Sequence, residues 1–276
     1  MQFQRGKTSI AVIMITLNEG HNLNEAIKQL ENWASEVFVL DSYSNDNTIN
    51  ILKKNNIIYK QRKFTNFGDQ WNFALKIFNV KSKFTMKLDP DERLTNKLKN
   101  EISENLKIQN NVGYAFDRVL YFMGKELPIS QEVTRIWRTG KAKFTDVLVN
   151  EIPIIEGNVF KLNEKLIHLD SPNLEHWYTK QNQYSSSEAI ARLKKQHLPF
   201  KPSLFGNRDN KRMWLKQNFS NIPGRFLLLF LYYYIIRGLF LAGKEGFIWS
   251  HLRSEVMRMR EYKFYELSKK SNLRDI

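Results

Sequence analysis

The sequence contains no cysteine. That excludes a disulfide scaffold, a thiolate nucleophile, a thiolate zinc site and an iron–sulfur cluster. Its five histidines are scattered and never take the His-Glu-x-x-His spacing of a zinc protease. There is no Gly-x-Gly-x-x-Gly loop and no Gly-x-x-x-x-Gly-Lys-Ser/Thr loop, which argues against a dinucleotide enzyme and a P-loop hydrolase. No apolar run reaches the roughly 20 residues that a spanning helix needs. Acidic residues are in deficit, 28 against 43 Lys/Arg, for a net charge of +15, so an anionic partner is expected. What is present is 276 residues, 42% hydrophobic and 26% charged. That suits one large domain, or a domain of roughly 200 residues with an appendage.

The basic excess is uneven. Residues 192–276 carry 18 Lys/Arg and 6 Asp/Glu, whereas residues 1–191 carry 25 and 22. Within the basic part lies an eleven-residue apolar and aromatic run, Phe226 to Ile236, bracketed by Arg225 and Arg237 and followed by Gly238–Ala242 and Lys244. As a helix it is roughly 16 Å long, about half a bilayer core. Spanning would also bury Arg237. The run therefore reads as an interfacial helix on an anionic membrane surface. The competing reading is a buried core helix with a solvated basic surface. Nucleic acid is not expected as a partner, because no recognised binding motif accompanies the charge. Near the start, Arg5 and Lys7 precede an apolar run, Ile10 to Leu17, in the manner of a signal peptide. The run is short, lacks a small-residue cleavage site and leads into Asn18-Glu19-Gly20, so it reads as a strand and the chain is expected to face the cytoplasm.

The pattern along the chain alternates strand and helix. Ser9 to Thr16 is a continuous β-rich run, as in a strand covered on both faces. Apolar residues at 23, 26, 27 and 30 predict a helix over Asn22–Trp33. Glu36 to Leu40 predicts a second strand ending at Asp41, and Asp46-Asn47-Thr48 opens another helix. Ile57 to Tyr59 is a third strand, Gln70 to Phe78 a helix, and Phe84 to Leu88 a fourth strand ending at Asp89. This is the pattern of an open α/β sheet. Ligands of such sheets bind beyond the carboxyl ends of the strands. That rule gathers Thr16–Glu19, Asp41–Asp46 and Asp89–Glu92 into one site. Short strands are expected at Tyr114–Tyr121, Thr134–Trp137, Leu148–Ile152 and Leu166–Leu169, and a helix at Tyr184–Leu193. Pro199, Pro202, Gly206 and Asn207 mark a flexible stretch.

Lys87-Leu88-Asp89-Pro90-Asp91-Glu92 places three carboxylates directly after an apolar strand, which is costly unless something positive binds there. Two such carboxylates suit Mg²⁺ or Mn²⁺, with phosphate oxygens completing the coordination. The alternative is an acidic turn whose Asp91 caps a helix. In Asp41-Ser-Tyr-Ser-Asn-Asp46-Asn-Thr48, Asp41 is expected to face a ligand, where it suits a nucleobase or ribose donor. Asp46 and Thr48 are expected to shape the turn.

Taken together, these segments resemble the family 2 glycosyltransferases, and within them the lipopolysaccharide-core branch of small bacterial sugar transferases. The likeness runs through Thr16-Leu-Asn-Glu19, Asp41 to Thr48, Phe67-Gly-Asp-Gln70-Trp-Asn72-Phe-Ala-Leu75, Leu88 to Glu92, Arg135-Ile-Trp-Arg138, Asn150-Glu151, Leu166-Ile-His168 and His176 to Tyr184. It covers about residues 8 to 190, and the tail is similar in kind. Asn150 departs from it, standing where that branch has His, and Pro90 sits between the two carboxylates.

The resemblance implies a GT-A fold: an α/β, mostly parallel sheet flanked by helices over residues 1–195, with a basic, apolar helical membrane-associating region over 196–276. It implies a nucleotide-sugar donor, a UDP-hexose by preference, contacted by Thr16, Asn18, Glu19, Asp41, Gln70, Asn72, Asp89, Arg135 and Arg138. Mg²⁺ or Mn²⁺ would lie on Asp89, Asp91 and His168. Transfer would invert the anomeric centre, with Glu151 as the base and Asp146 or Glu92 as alternatives. The acceptor would be a lipid-linked or phosphorylated saccharide such as lipopolysaccharide inner core. The chain would be peripheral or monotopic on the cytoplasmic side of the inner membrane. Trp71, Trp137 and Trp177 would stack on sugars or fill the core. A nucleotidyltransferase on a related fold, or a non-catalytic membrane or nucleic-acid binding protein, are the competing functions.

Overall fold

Ile10 to Met14 are five consecutive residues without solvent exposure, and that run dictates the architecture. A strand covered on both faces must lie inside an α/β sheet. The computed structural model describes residues 2–108, 111–145, 151–194 and 201–272. In it, β1 (Thr8–Thr16), α1 (Gly20–Lys28), β2 (Ala34–Asp41), α2 (Thr48–Lys54), β3 (Ile58–Gln61), α3 (Phe67–Ile77) and β4 (Phe84–Lys87) follow one another. The four strands are parallel, in the order β3-β2-β1-β4.

The sheet continues through β5 (Glu92–Leu94), β6 (Gly113–Phe122), β7 (Lys125–Arg138), β10 (Val159–Lys161) and β11 (Leu166–His168). Its full order is β3-β2-β1-β4-β7-β6-β11-β5, with β10 also on β6. The strand β7 runs antiparallel to β4. A separate pair, β8 (Ala142–Phe144) and β9 (Pro153–Ile155), is antiparallel.

Strand side chains alternate between faces, so β1 feeds two cores. Ile10, Val12 and Met14 join Leu23, Ile27, Leu52, Phe84 and Phe116 on one face. Ala11 and Ile13 join Phe38, Trp71, Phe78, Trp137 and Phe144 on the other. This is the helix-flanked α/β sheet that the alternating pattern predicts.

Several elements differ from expectation. The helix α4 (Asn96–Ile108) lies outside the expected set. Its buried residues, Leu98, Ile102 and Leu106, recur every fourth position but are outnumbered by Lys, Asn and Glu. The strand β7 begins well before Thr134, and its first half, largely exposed and polar, offers no apolar run to mark it. The helix α5 (Leu174–Leu193) starts ten residues before Tyr184, capped by Asn173, whose side chain accepts the His176 amide. Most of the strand expected at Leu148–Ile152, together with Asp146 and Asn150, falls outside the described residues.

The chain forms two compact units: Met1–Tyr121, Ser130–Asp146 and Asn150–Asp170 make the first, and Phe122–Ile129, Val147–Val149 and Ser171–Ile276 the second. The second contains α5, α6 (Arg208–Asn218), α7 (Arg225–Leu231) and α8 (Lys244–Asn272). The Arg192–Glu261 and Arg260–Glu188 ion pairs, both 2.7 Å, join α5 to α8. The Phe122 and Trp249 rings meet at 5.0 Å. At the start of α8 the backbone of Leu239 crosses directly over Gly246, and a Cβ there would sit 1.8 Å from the Leu239 carbonyl oxygen. Only glycine permits that approach. Gly246→Ala is therefore expected to destabilise the second unit by about 1–3 kcal/mol through overpacking. Thermal unfolding followed by circular dichroism measures it, and an unchanged midpoint would contradict this packing.

Candidate active site

Sheet register brings the three acidic and polar segments to one edge. Thr16 lies opposite Asp41 across β1 and β2. Ile13 lies opposite Lys87 across β1 and β4, so Asp89 follows two residues beyond that rung. The edge is the carboxyl end of the parallel strands, where open sheets hold ligands.

The first two loops are stitched together. The Asn18 amide donates to Ser44 Oγ at 2.8 Å, and the Asn45 amide to Asn18 Oδ1 at 2.9 Å. The Glu19 amide donates to Thr48 Oγ1 at 3.0 Å, and the Gly20 amide to Asp46 Oδ2 at 2.9 Å. Amides at a helix start lack partners within the helix; here the Glu19 and Gly20 amides, at the start of α1, find them on the neighbouring segment. Asn18 holds a left-handed φ of 57°, which asparagine tolerates better than most residues. Burial pushes the Asp46 carboxyl up, but hydrogen bonds from Thr48 and Gly20 outweigh it and hold the group below the usual range. Glu19 also accepts from Asn22 Nδ2 at 3.0 Å.

Asp41 is completely buried. Its oxygens accept from Thr16 Oγ1 at 3.0 Å, the Ser44 amide at 2.9 Å, Gln61 Nε2 at 3.0 Å and the Ser44 hydroxyl. The structure thus places on Asp41 the work of closing its own loop. Gln70 is also completely buried, and its Nε2 donates to Ser42 Oγ at 3.1 Å. Among the described residues its Oε1 has no hydrogen-bond partner, which is uncommon for a buried acceptor. Asn72 donates to the Phe144 carbonyl at 2.9 Å and accepts its amide at 2.8 Å, which holds β8 in place.

The acidic turn rests on a buried ionic network. Glu92 has no solvent exposure and pairs with Arg135 and, at 3.3 Å, with Arg118. Its Oε2 also accepts the Asp89 amide at 3.0 Å. Arg135 reaches Asp89 Oδ2 at 2.9 Å through the same Nη2. Burial would lower the Arg135 guanidinium, but Glu92 and Asp89 outweigh it and raise it. Burial would raise the Asp89 carboxyl, yet Lys87, Arg135 and Arg118 together hold it below the usual carboxylate range against Asp91. Because β11 pairs with β5, His168 lies opposite Glu92, and His168 Nε2 approaches Asp91 Oδ2 at 3.2 Å.

Two groups here are not evident from motif reading. Lys87 is a charged residue inside an otherwise buried strand, and its Nζ meets Glu151 Oε1 at 2.7 Å. It also lies over the Trp71 ring at 4.5 Å and the Phe144 ring at 5.4 Å. Arg118, on β6, braces Glu92 and Gln131. The signal for Lys87 was its place in an apolar strand; nothing local marks Arg118.

The structure does not bring Arg138 to this edge. Because β7 is antiparallel to β4, Arg138 lies opposite Phe84, at the amino end of β4, with its guanidinium over that ring at 5.6 Å. It lies three residue steps along the strand from Arg135, about 10 Å. Trp71, Trp137 and Trp177 are core residues, each about 1% exposed. A hollow lined by Phe78, Thr85, Trp137 and Thr139 also lies at the amino end of β4, away from the acidic turn.

Among the described residues no cluster of three or more His, Cys, Asp or Glu is arranged to hold a metal ion. The donor set nevertheless fits one held jointly with a ligand. Mg²⁺ is commonly bound by one or two carboxylates with phosphate oxygens completing the shell. Asp89, with its side chain 29% exposed, and Asp91 supply that pair.

The sequence model described as Glycosyl transferase family 2 matches residues 11–164. An uncharacterized glycosyltransferase of Rickettsia bellii is 25% identical over 279 residues, covering 95% of this chain and 88% of that protein. One from Rickettsia prowazekii is 23% identical over 278 residues with the same coverage. Among solved structures, residues 1–349 of TarS from S. aureus in complex with UDP align with a TM-score of 0.46 at 17% identity, over 89% of this chain and 90% of that one.

The network makes a prediction independent of chemistry. Glu92→Gln leaves the Arg135 charge buried with half its compensation, and breaking such a pair costs about 3 kcal/mol or more. Urea unfolding checks it; a loss below about 0.5 kcal/mol, the scale of a surface change, would show that Glu92 is not the brace.

Proposed function

The chain belongs to glycosyl transferase family 2, with the GT-A fold, and from that premise we propose that it is an inverting transferase using a nucleoside-diphosphate sugar, by preference a UDP-hexose. The acceptor is a lipid-linked, phosphorylated saccharide such as lipopolysaccharide inner core. The observation that carries this reading is the acidic turn. Two carboxylates stand at the carboxyl end of β4, fixed by a buried ionic network, beside two loops stitched at the ends of β1 and β2.

In this reading Thr16, Asn18, Glu19 and Asp41 form the nucleoside side of the site. Asp41 acts there by holding the loop that the nucleoside meets, since its oxygens already take four protein donors. Gln70, with no exposure, acts behind that side, where its Nε2 holds Ser42 of the same loop. Asn72 keeps β8 in register. Asp89 and Asp91, the latter steadied by His168, would hold Mg²⁺ or Mn²⁺ jointly with the donor phosphates, and the ion when bound would neutralise charge developing on a leaving diphosphate. Arg135 stands behind Asp89 and orients its carboxylate rather than meeting the donor itself, being 5% exposed.

Transfer is a single displacement. The acceptor hydroxyl oxygen bonds to the anomeric carbon as the bond from that carbon to the diphosphate oxygen breaks, and the hydroxyl proton passes to a carboxylate. Glu151 is that carboxylate. Lys87 grips its Oε1 and fixes its direction, leaving Oε2 for the proton. Glu92, the alternative base within the described residues, is spent on two arginines and an amide and has no exposure. Asp146, the other alternative, lies outside the described residues.

Glu151→Gln is expected to keep UDP affinity and lose turnover by about 10²-fold or more. Radiolabelled sugar transfer measured beside UDP binding tests this, and an unchanged rate would remove Glu151 from the role. Asp91→Asn is expected to abolish transfer while the thermal midpoint stays near wild type; full activity in that variant would overturn the metal assignment.

A further inference from the structure

The apolar segment in the second unit has two faces of different fate. Phe226, Phe230 and Tyr234, spaced four apart, turn toward α8. Ser254 Oγ donates to the Phe226 carbonyl at 2.7 Å, and Arg258 lies over the Phe226 ring at 5.0 Å. The Phe230 ring meets Phe247 at 5.7 Å and His251 at 4.4 Å, and Tyr234 meets Phe247 at 5.7 Å. The other face is bare. Leu227, Leu228, Leu231, Ile235 and Ile236 are between 36% and 73% exposed, and after Gly238 the side chains of Phe240 and Leu241 are 50% and 71% exposed. Soluble monomers rarely expose a contiguous apolar surface of this kind unless something covers it.

The geometry rules out a span. Gly224, Gly238 and Gly243 take left-handed φ values of 63°, 71° and 67° and break the segment. The turn over Tyr232–Ile236 is π-helical, and Leu239–Ala242 is a 3₁₀ turn. Among the described residues no helix is long and apolar enough to cross a membrane. Broken backbone of this kind is not tolerated facing lipid through a bilayer core. It is tolerated where a short helix lies in the headgroup boundary.

Charge selects the occupant. Between Asp209 and Glu245 there is no acidic residue, whereas Lys211, Arg212, Lys216, Arg225, Arg237 and Lys244 are all basic. Tyr232, 43% exposed, and Tyr233 stand between the two arginines, as aromatic residues do at membrane boundaries. A protein partner would need its own apolar patch rimmed by acids; an anionic leaflet offers both halves at once. We propose that Arg225–Ala242 is a monotopic membrane anchor: Leu228, Leu231, Ile236 and Leu241 enter the acyl boundary of an anionic leaflet while Arg237 and the exposed Lys244 sit at its phosphates. The anchor stands on its own observations and does not depend on the identity of the donor or acceptor.

The test uses the full chain and vesicles of phosphatidylcholine alone or mixed with phosphatidylglycerol, with binding read by flotation at low and high salt. Wild type floats with the mixed vesicles and is partly released by salt. A Leu228→Glu/Ile236→Glu double variant binds about tenfold less tightly or worse, with an unchanged thermal midpoint because both side chains are exposed. Leu228→Ala/Ile236→Ala falls between the two. Arg237→Gln lowers affinity for mixed vesicles and weakens the salt dependence. Failure of wild type to float, or equal flotation of the double glutamate variant, overturns the anchor. A wild-type dimer in light scattering that the glutamate pair dissociates, without vesicle binding, assigns the face to a second copy of the chain instead.

Discussion

A carboxylate with no access to water, Glu92, held between two arginines, is the constraint from which the site follows. Taking such a group out of water is tolerable only when it is paired and hydrogen-bonded. Glu92 meets that condition with Arg135, Arg118 and the Asp89 amide. In doing so it ties three strands, β4, β6 and β7, to one turn. The turn then presents Asp89 and Asp91 at the sheet edge in a fixed arrangement. That fixed arrangement is thus built from Glu92, Arg135 and Arg118, which stand behind the turn rather than on it.

The same economy runs through the neighbouring loops. The Thr-Leu-Asn-Glu and Asp-Ser-x-Ser-x-Asp-x-Thr segments look like separate motifs along the chain, yet each satisfies the other's amides. The two segments are therefore coupled by folding: neither loop keeps its hydrogen bonds without the other. Lys87 plays the corresponding part for Glu151. Its ammonium, packed on Trp71 and Phe144, joins that core cluster to the Glu151 carboxylate.

How far this was legible in the sequence depends on whether the signal was local. The parallel strands β1, β2 and β4 were legible because each is a largely apolar run ending at a polar loop, and the carboxyl-end rule then gathered Thr16, Asp41 and Asp89; β3, Ile58–Gln61, was marked only by its first residues. Their occupation was not. Nothing in the local sequence says that Asp41 is saturated by four donors, because Gln61 reaches it from β3. Arg135 and Arg138 look equivalent as a spaced pair, but residues three apart on a strand fall on opposite faces, and the antiparallel pairing with β4 sends one to each end. Arg118 was invisible because it meets Glu92 only through the order of strands in the sheet. The helix α4 was obscured by its polar majority, although Leu98, Ile102 and Leu106 carry its period.

The central claim is that the edge formed by β1, β2 and β4 binds a nucleoside diphosphate through the acidic turn. Calorimetric titration of the purified protein with UDP, with and without Mn²⁺, and again for Asp89→Ala, addresses it most directly. The account predicts binding that strengthens with Mn²⁺ and is lost in the variant. Absence of UDP, GDP and ADP binding under both conditions, or metal-dependent affinity unchanged in Asp89→Ala, would contradict it and leave the acidic turn as a brace of the sheet alone.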